Sequence, residues 1–209
     1  LYTLCRPEEL YYARQMERAK LLATVSASTS CGRENYRVYA EELLQMVEFL
    51  EHFQVYAKEN KFNMTLFGSA VHYFILTTFD DSLQCRPRIR QCEQYVKTMG
   101  TVPGDVDIML HDVSVPPHYR SFETAPSYRL YGNRAEKSTY PFLPRHIGPW
   151  TLTHVNPSTY LAKHEILVYK ATYSRATTQE TVHVDYVLSD YLAQNRPDFD
   201  VNTVVMDIE

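Results

Sequence analysis

The sequence lacks the motifs by which several common classes of protein are recognised. Its four cysteines form no Cys-x-x-Cys pair and have no accompanying histidine motif, so we expect neither a zinc site nor a disulfide framework. No apolar run reaches the ~18 residues that are needed to cross a bilayer. The first thirty residues mix charged and apolar side chains, which is not the pattern of a secretory leader. These absences favour an intracellular, cytoplasmic protein that does not bind membranes.

Positive charge and glycine are also scarce. The net charge of -4 argues against a protein that coats nucleic acid non-specifically, but it is compatible with an enzyme that has a local basic surface. Glycine contributes only 6 residues, and no Gly-x-x-x-x-Gly-Lys-[Ser/Thr] loop occurs, so we do not expect an ordinary P-loop NTPase. Apolar residues make up 44% of the chain, which is enough to build a substantial core.

Two patterns of apolar residues divide the chain. Helical spacing predicts amphipathic helices over residues 8–22 and 38–58, and a Ser/Thr-rich stretch separates them. From Phe62 onward, apolar and polar residues alternate with a period of two, which is typical of strands. We therefore expect a helical region over residues 1–60 and an α+β core over residues 61–209, in which a mixed β-sheet is flanked by helices.

The elements of this core can be placed individually. We predict one helix over residues 70–77 and strands over residues 62–67, 105–110, 150–155, 166–173, 181–188 and 200–208. Residues 174–180 suit a hairpin loop between two of these strands. A polar segment over residues 80–103 separates the predicted helix over residues 70–77 from the predicted strand over residues 105–110. Residues 113–149 form a long connection with short elements, as is often found in functional loops.

Three aspartates fall on predicted strands at positions where a charged carboxylate would destabilise the fold. Asp105 and Asp107 are two residues apart, so they project from one face of their strand and repel each other unless a cation or proton neutralises them. Asp185 lies in the middle of an otherwise apolar strand, where burying a carboxylate is unfavourable unless it is paired or ligated. Hard divalent cations that prefer oxygen ligands, Mg²⁺ above all, meet both needs.

The order of these elements resembles the nucleotidyltransferase superfamily, the fold of DNA polymerase beta and of poly(A) polymerases. The signature of that superfamily is a strand, a Gly-Ser pair that opens a helix, an acidic-apolar-acidic strand and a third acidic residue on a neighbouring strand. The matching segments here are LFGS at 66–69, GDVDIML at 104–110 and VHVDYVL at 182–188. Gly-Asp-x-Asp-Ile is most similar to the motif of the poly(A) polymerase catalytic subunits of large DNA viruses.

The resemblance implies a nucleotidyltransferase fold and phosphoryl transfer with two metal ions. Asp105 and Asp107 are expected to bridge two Mg²⁺ or Mn²⁺ ions, and Asp185 to hold the ion that activates the attacking hydroxyl. Gly68 and Ser69 are expected to bind the triphosphate at a helix N-terminus. The implied reaction transfers a nucleoside monophosphate from an NTP, foremost ATP, to an acceptor hydroxyl, foremost an RNA 3′ end. The viral likeness implies RNA processing in a virion or an infected cell.

Two departures from the superfamily pattern keep a second hypothesis open. The interval between Ser69 and Asp105 is longer than usual, so residues 80–103 are interpreted as an insertion. The nucleobase-binding and strand-binding regions that normally follow the core are not recognisable before Glu209. The alternative is a catalytically inactive nucleotidyltransferase-fold module that acts as a binding or assembly subunit. Under either hypothesis, a protein partner subunit can complete the site.

Several further residues each allow two interpretations. His183 shares a strand face with Asp185 and either contacts the metal site or packs beside it. The basic residues of the 80–103 segment either guide a polyanion or form a solvated loop; they are Arg86, Arg88, Arg90 and Lys97.

Aromatic and basic residues in the second half of the chain are also ambiguous. Tyr128 and Tyr131, close in sequence to Arg129 and Arg134, either stack on bases or simply pack. Two lysines, Lys163 and Lys170, are candidates for contacts with the triphosphate.

Overall fold

The computed structural model describes residues 31–99, 102–131, 134–135, 140–160, 166–188 and 205–207. The helix expected over residues 8–22 lies outside this part of the chain. Two compact units are distinguished, Leu1–Asn35 and Tyr36–Glu209. The second unit combines helices with a mixed β-sheet, which confirms the expected α+β class. None of the described helices is long and apolar enough to span a membrane.

Two helices lie where helical periodicity predicts them. The long helix α1 (Cys31–Asn60) includes the predicted helix over residues 38–58. Helix α2 (Ser69–Phe79) includes the predicted helix over residues 70–77 and begins directly after Gly68.

The polar 80–103 segment is helical rather than a solvated loop. It forms the short α3 (Asp81–Gln84) and the longer α4 (Arg88–Met99). The reason is an apolar stripe within a polar sequence, because Ile89, Cys92 and Val96 are spaced three and four residues apart and all three are buried.

The described strands form one sheet in the order β4-β3-β6-β7-β8-β2-β1-β9, and β5 pairs with β6 beside this path. Strands β2 and β8 are parallel, whereas the other adjacent pairs in the described part of the chain are antiparallel. The strands are β1 (Met64–Phe67), β2 (Val106–Leu110), β3 (Tyr128–Tyr131), β4 (Arg134–Ala135), β5 (His146–Ile147), β6 (Trp150–Tyr160), β7 (Ile166–Arg175), β8 (Thr181–Leu188) and β9 (Val205–Asp207).

Helix α1 covers one face of this sheet with aromatic side chains. The ring of Phe49 lies 5.8 Å from that of Trp150 and 5.1 Å from that of Tyr173. The ring of Phe53 lies 6.4 Å from that of Tyr186. All five side chains are buried, so burial of apolar surface holds the helix on this face. The alternate residues of the same strands therefore project from the opposite face.

Ion pairs fix α1 against its neighbours. The Arg175 guanidinium, at the end of β7, contacts Glu48 of α1 at 3.0 Å and Glu180 of the hairpin loop at 3.4 Å. Arg88 of α4 contacts Glu51 of α1 at 3.0 Å, so α4 lies beside α1. The ion pair between Arg175 and Glu48 thus attaches the β7–β8 hairpin to α1.

Candidate functional site

The parallel pairing of β2 with β8 brings two of the predicted site residues together. Asp107 is the register partner of Asp185, and opposed residues of neighbouring strands project from the same face. Asp105 lies two residues before Asp107 and immediately before β2, which begins at Val106 rather than at Asp105 as expected. The structure thus places the three aspartates in one small region of the sheet. Their catalytic role remains a prediction.

The row of residues through the two aspartates continues into both neighbouring strands. Lys170 of β7 is the register partner of Asp185, and its Nζ donates a hydrogen bond to Asp185 Oδ2 at 3.0 Å. The Asp185 side chain is only 12% exposed, whereas that of Lys170 is 51% exposed. The ion pair therefore compensates a largely buried carboxylate with a cation that still reaches solvent.

Gly68 brings the backbone against the carboxylate of Asp107. Its φ of 73° and ψ of -156° lie in a region that is accessible almost only to glycine. A Cβ atom at this position would overlap Asp107 Oδ2. Glycine is therefore required both by the backbone conformation and by the close approach of the carboxylate. Ser69, which follows, is the first residue of α2, whose N-terminus favours nearby negative charge.

Burial and the neighbouring carboxylates both disfavour negative charge at the site. Burial raises the pKa of Asp107 to about 7, and the charges of Asp105 and Asp185 add to this effect while Lys170 opposes it. Burial also raises the pKa of Asp185, although its hydrogen bond from Lys170 acts in the other direction. One lysine thus does not neutralise the group.

This donor set suits a hard divalent cation. Three carboxylates supply the oxygen ligands that Mg²⁺ and Mn²⁺ prefer. The raised pKa values of Asp107 and Asp185 show that burial disfavours their charged forms, which a cation would stabilise. Within the described residues, no three Asp, Glu, His or Cys side chains are already gathered closely enough to hold a metal ion. Shared coordination therefore requires these side chains to move closer together.

Other predicted residues lie around this centre or outside it. His183 is exposed on the same face as Asp185, and its Nδ1 lies 3.2 Å from Thr172 Oγ1. Tyr128 is buried on the packed face, so of its two interpretations the structure favours packing. The side chains of Tyr131 and Arg134, and the whole of Lys163, lie outside the described part of the chain.

Of the four basic residues in the 80–103 segment, two form ion pairs with glutamates and two are exposed. Arg88 pairs with Glu51 of α1, and Arg90 pairs with Glu93 of its own helix at 2.7 Å. Arg86 and Lys97 are exposed. These residues therefore belong to the solvated surface of α3 and α4.

Sequence reasoning did not identify the Lys170–Asp185 pair, although a signal was present. The register pair next to the turn of the β7–β8 hairpin is Ser174 with Thr181. Counting outward from that pair places Lys170 opposite Asp185. The missing information was the register of the hairpin.

Comparisons of the chain with protein-family models, with curated proteins and with solved structures found no match. The functional argument therefore depends on the geometry and electrostatics of the site itself.

Replacing Asp107 with asparagine is expected to change the pH dependence of stability in the absence of divalent metal. The folded-state pKa of about 7 lies above the usual value of 3.8 for an aspartate. The wild-type stability contribution of this carboxyl is therefore complete below about pH 4 and is lost as the pH rises towards 7. Above pH 7, the Asp107→Asn variant should be more stable by about 2 kcal/mol, after allowance for partial solvent screening.

Denaturant unfolding from pH 4 to pH 8 in EDTA measures this effect. Asp112→Asn is the matched control, because Asp112 is exposed beyond the other end of β2. Equal pH profiles for wild type and Asp107→Asn would contradict the assigned electrostatics.

Gly68→Ala is expected to destabilise the protein by about 1–3 kcal/mol, because alanine is strained at this backbone conformation. The added methyl group should also displace the Asp107 carboxylate. Gly104→Ala is the control, because a Cβ atom there meets nothing within 4 Å. Thermal unfolding should separate the two variants, and equal stability of both would show that the close approach at Gly68 is not constraining.

Proposed function

We propose that this chain is a metal-dependent nucleotidyltransferase with a nucleotidyltransferase fold. It transfers a nucleoside monophosphate from an NTP, foremost ATP, to an acceptor hydroxyl, foremost an RNA 3′ end. The observation that carries the proposal is the pairing of Asp107 with Asp185 on parallel strands, beside Asp105 and against Gly68. Residues from three segments that are distant in the sequence thus meet at a place that is unfavourable for negative charge unless a cation is bound.

The carboxylates are assigned the role of metal ligands. Asp105 and Asp107 would hold both ions, and Asp185 would hold the ion next to the acceptor hydroxyl. When bound, divalent cations stabilise the attacking and leaving oxygens of an in-line phosphoryl displacement.

The other residues bind and orient the nucleotide. Gly68 lacks a side chain, so the backbone at the start of α2 can approach a triphosphate closely. The Ser69 hydroxyl and the N-terminus of α2 can donate to its phosphate oxygens. The side chain of Lys170 is half-exposed beside Asp185, so its ammonium can contact a phosphate once that carboxylate is otherwise compensated.

One observation favours a second candidate function, an inactive module of the same fold that acts as a binding or assembly subunit. The Lys170–Asp185 ion pair already supplies a counter-charge to one of the three aspartates. In an inactive module this ion pair would be permanent and would replace a metal ligand. The two candidates differ in whether Asp185 is needed for transfer.

Asp185→Ala is expected to abolish nucleotide transfer while sparing much of the NTP binding. Its carboxylate is assigned to the acceptor side, so its loss should lower the single-turnover rate at least about a thousand-fold. Asp105→Asn and Asp107→Asn should damage both binding and transfer, because these groups also position the triphosphate. The measurement is NTP affinity beside single-turnover transfer to an RNA acceptor in Mg²⁺ or Mn²⁺.

Asp112→Asn is the control for removal of a negative charge near β2, because asparagine tolerates the positive φ of 53° at this position. Transfer that survives in the Asp185→Ala variant would refute the role given to that residue. If the wild type binds NTP and transfers nothing to any acceptor offered, the inactive module is the better account.

A further inference from the structure

The paired aspartates of β2 and β8 contact neighbours on opposite flanks. In the sheet order β7-β8-β2-β1, the strands β8 and β2 lie in the middle. Asp185 of β8 accepts its hydrogen bond from Lys170 of β7. Asp107 of β2 lies against Gly68, which follows β1 on the other flank. These contacts hold the two carboxylates apart, which agrees with the finding that no metal-binding group is already gathered among the described residues.

Lys170 and Asp185 differ in how much each depends on their ion pair. The side chain of Asp185 is 12% exposed, so its carboxylate needs a counter-charge in the folded protein. The side chain of Lys170 is 51% exposed, so its ammonium can turn to water while its stem stays packed. The carboxylate therefore requires a cation, but it does not require this particular one.

The ammonium of Lys170 is influenced by all three aspartates. The hydrogen bond with Asp185 raises the pKa of Lys170, burial opposes the rise, and the charges of Asp185, Asp105 and Asp107 add to it. A divalent cation held by the same carboxylates would repel the ammonium. The lysine and a metal ion thus compete for the same negative charge.

Building on the proposed function, we propose that Lys170 is an internal counter-ion of Asp185, which a divalent cation displaces. Without metal, the ammonium compensates the carboxylate and holds it towards β7. When the aspartates bind a cation, Asp185 exchanges one positive charge for another and Lys170 is released towards solvent. The lysine then becomes available to the triphosphate only after the metal site is occupied.

A different arrangement would use the same contact. Lys170 donates to Oδ2 of Asp185, so a lysine that stayed there could orient the carboxylate while Oδ1 binds the cation. Hydrogen bonds of that kind strengthen metal binding. Displacement is favoured because the contact lies on the β7 side of Asp185, away from Asp107. The two arrangements predict opposite effects on metal affinity when the lysine is removed.

Isothermal titration calorimetry of Mg²⁺ alone into the protein, without NTP, tests the displacement. Lys170→Met removes the charge and keeps a flexible apolar stem. This variant should bind Mg²⁺ about tenfold more tightly than wild type, because the cation no longer displaces a charge-assisted hydrogen bond. Lys170→Arg retains the charge and should bind as weakly as wild type. Unchanged or weaker binding by Lys170→Met, or tight binding by Lys170→Arg, would overturn the proposal.

Asp185→Asn separates this contact from a general effect of charge. Removal of any nearby cation favours Mg²⁺ binding through Coulomb forces, whether or not that cation touches a ligand. Asp105 and Asp107 remain in the Asp185→Asn protein, so a general effect of Lys170→Met would persist there, whereas an effect through Asp185 would vanish. A tenfold gain that persists in this background would overturn the proposal.

Thermal unfolding supplies an independent readout. In EDTA, Lys170→Met should melt about 5 °C below wild type, because Asp185 loses its counter-charge. At saturating Mg²⁺ this difference should largely disappear, since Lys170 no longer pairs with Asp185 in either protein. Arg90→Met is the matched control, because it breaks an exposed ion pair with Glu93 on α4 and should leave the response to Mg²⁺ unchanged. A difference between Lys170→Met and wild type that is equal in EDTA and in Mg²⁺ would contradict displacement.

The same titrations separate this proposal from the proposed function. If neither wild type nor Lys170→Met binds Mg²⁺, the metal site fails and both proposals fail with it. If wild type binds Mg²⁺ and Lys170→Met binds it no better, the metal site stands and displacement is contradicted. If Lys170→Met binds Mg²⁺ and wild type does not, displacement is supported and the wild type is better described as the inactive module.

Discussion

The parallel pairing of β2 with β8 is the constraint on which the site depends. Its register places Asp107 opposite Asp185, and the antiparallel neighbours β1 and β7 then add Phe67 and Lys170 to the same row. A shift of the β2–β8 register by one residue would turn Asp185 to the packed face, among aromatic side chains, where a charged carboxylate is strongly disfavoured. The same alternation that buries Tyr186 and Ile108 beneath α1 therefore holds the aspartates together on the other face.

One face of the sheet is packed against α1, and the other face carries the three aspartates. On the packed face, Phe49 and Phe53 bury aromatic surface, and Arg175 joins α1 to the hairpin. On the opposite face, three carboxylates repel one another, and among the described residues Lys170 forms an ion pair with Asp185. Burial on the first face offsets repulsion on the second, so the site can remain charged in a folded protein. Clusters of this kind are typical of functional sites, since stability alone would favour a neutral residue.

Much of the fold can be predicted from local patterns, because alternation identified β6, β7 and β8 and helical spacing identified α1 and α2. Helix α4 was not predicted, since its apolar stripe is narrow and is surrounded by arginine and glutamine. The three aspartates and Gly68 were recognisable from their residue types and order. The pairing of Lys170 with Asp185 was not, because it depends on strand register, which is set by long-range packing.

The most direct test of the central claim, that the aspartates form a site completed by a divalent cation, is the effect of Mg²⁺ on thermal unfolding. Wild-type protein should melt about 5 °C higher when Mg²⁺ is present at a hundred times its dissociation constant, because the cation binds the native state preferentially. The Asp105→Asn/Asp107→Asn protein should fold, melt higher than wild type in EDTA, and show no increase with Mg²⁺. An equal increase in both proteins, or none in the wild type, would contradict the account.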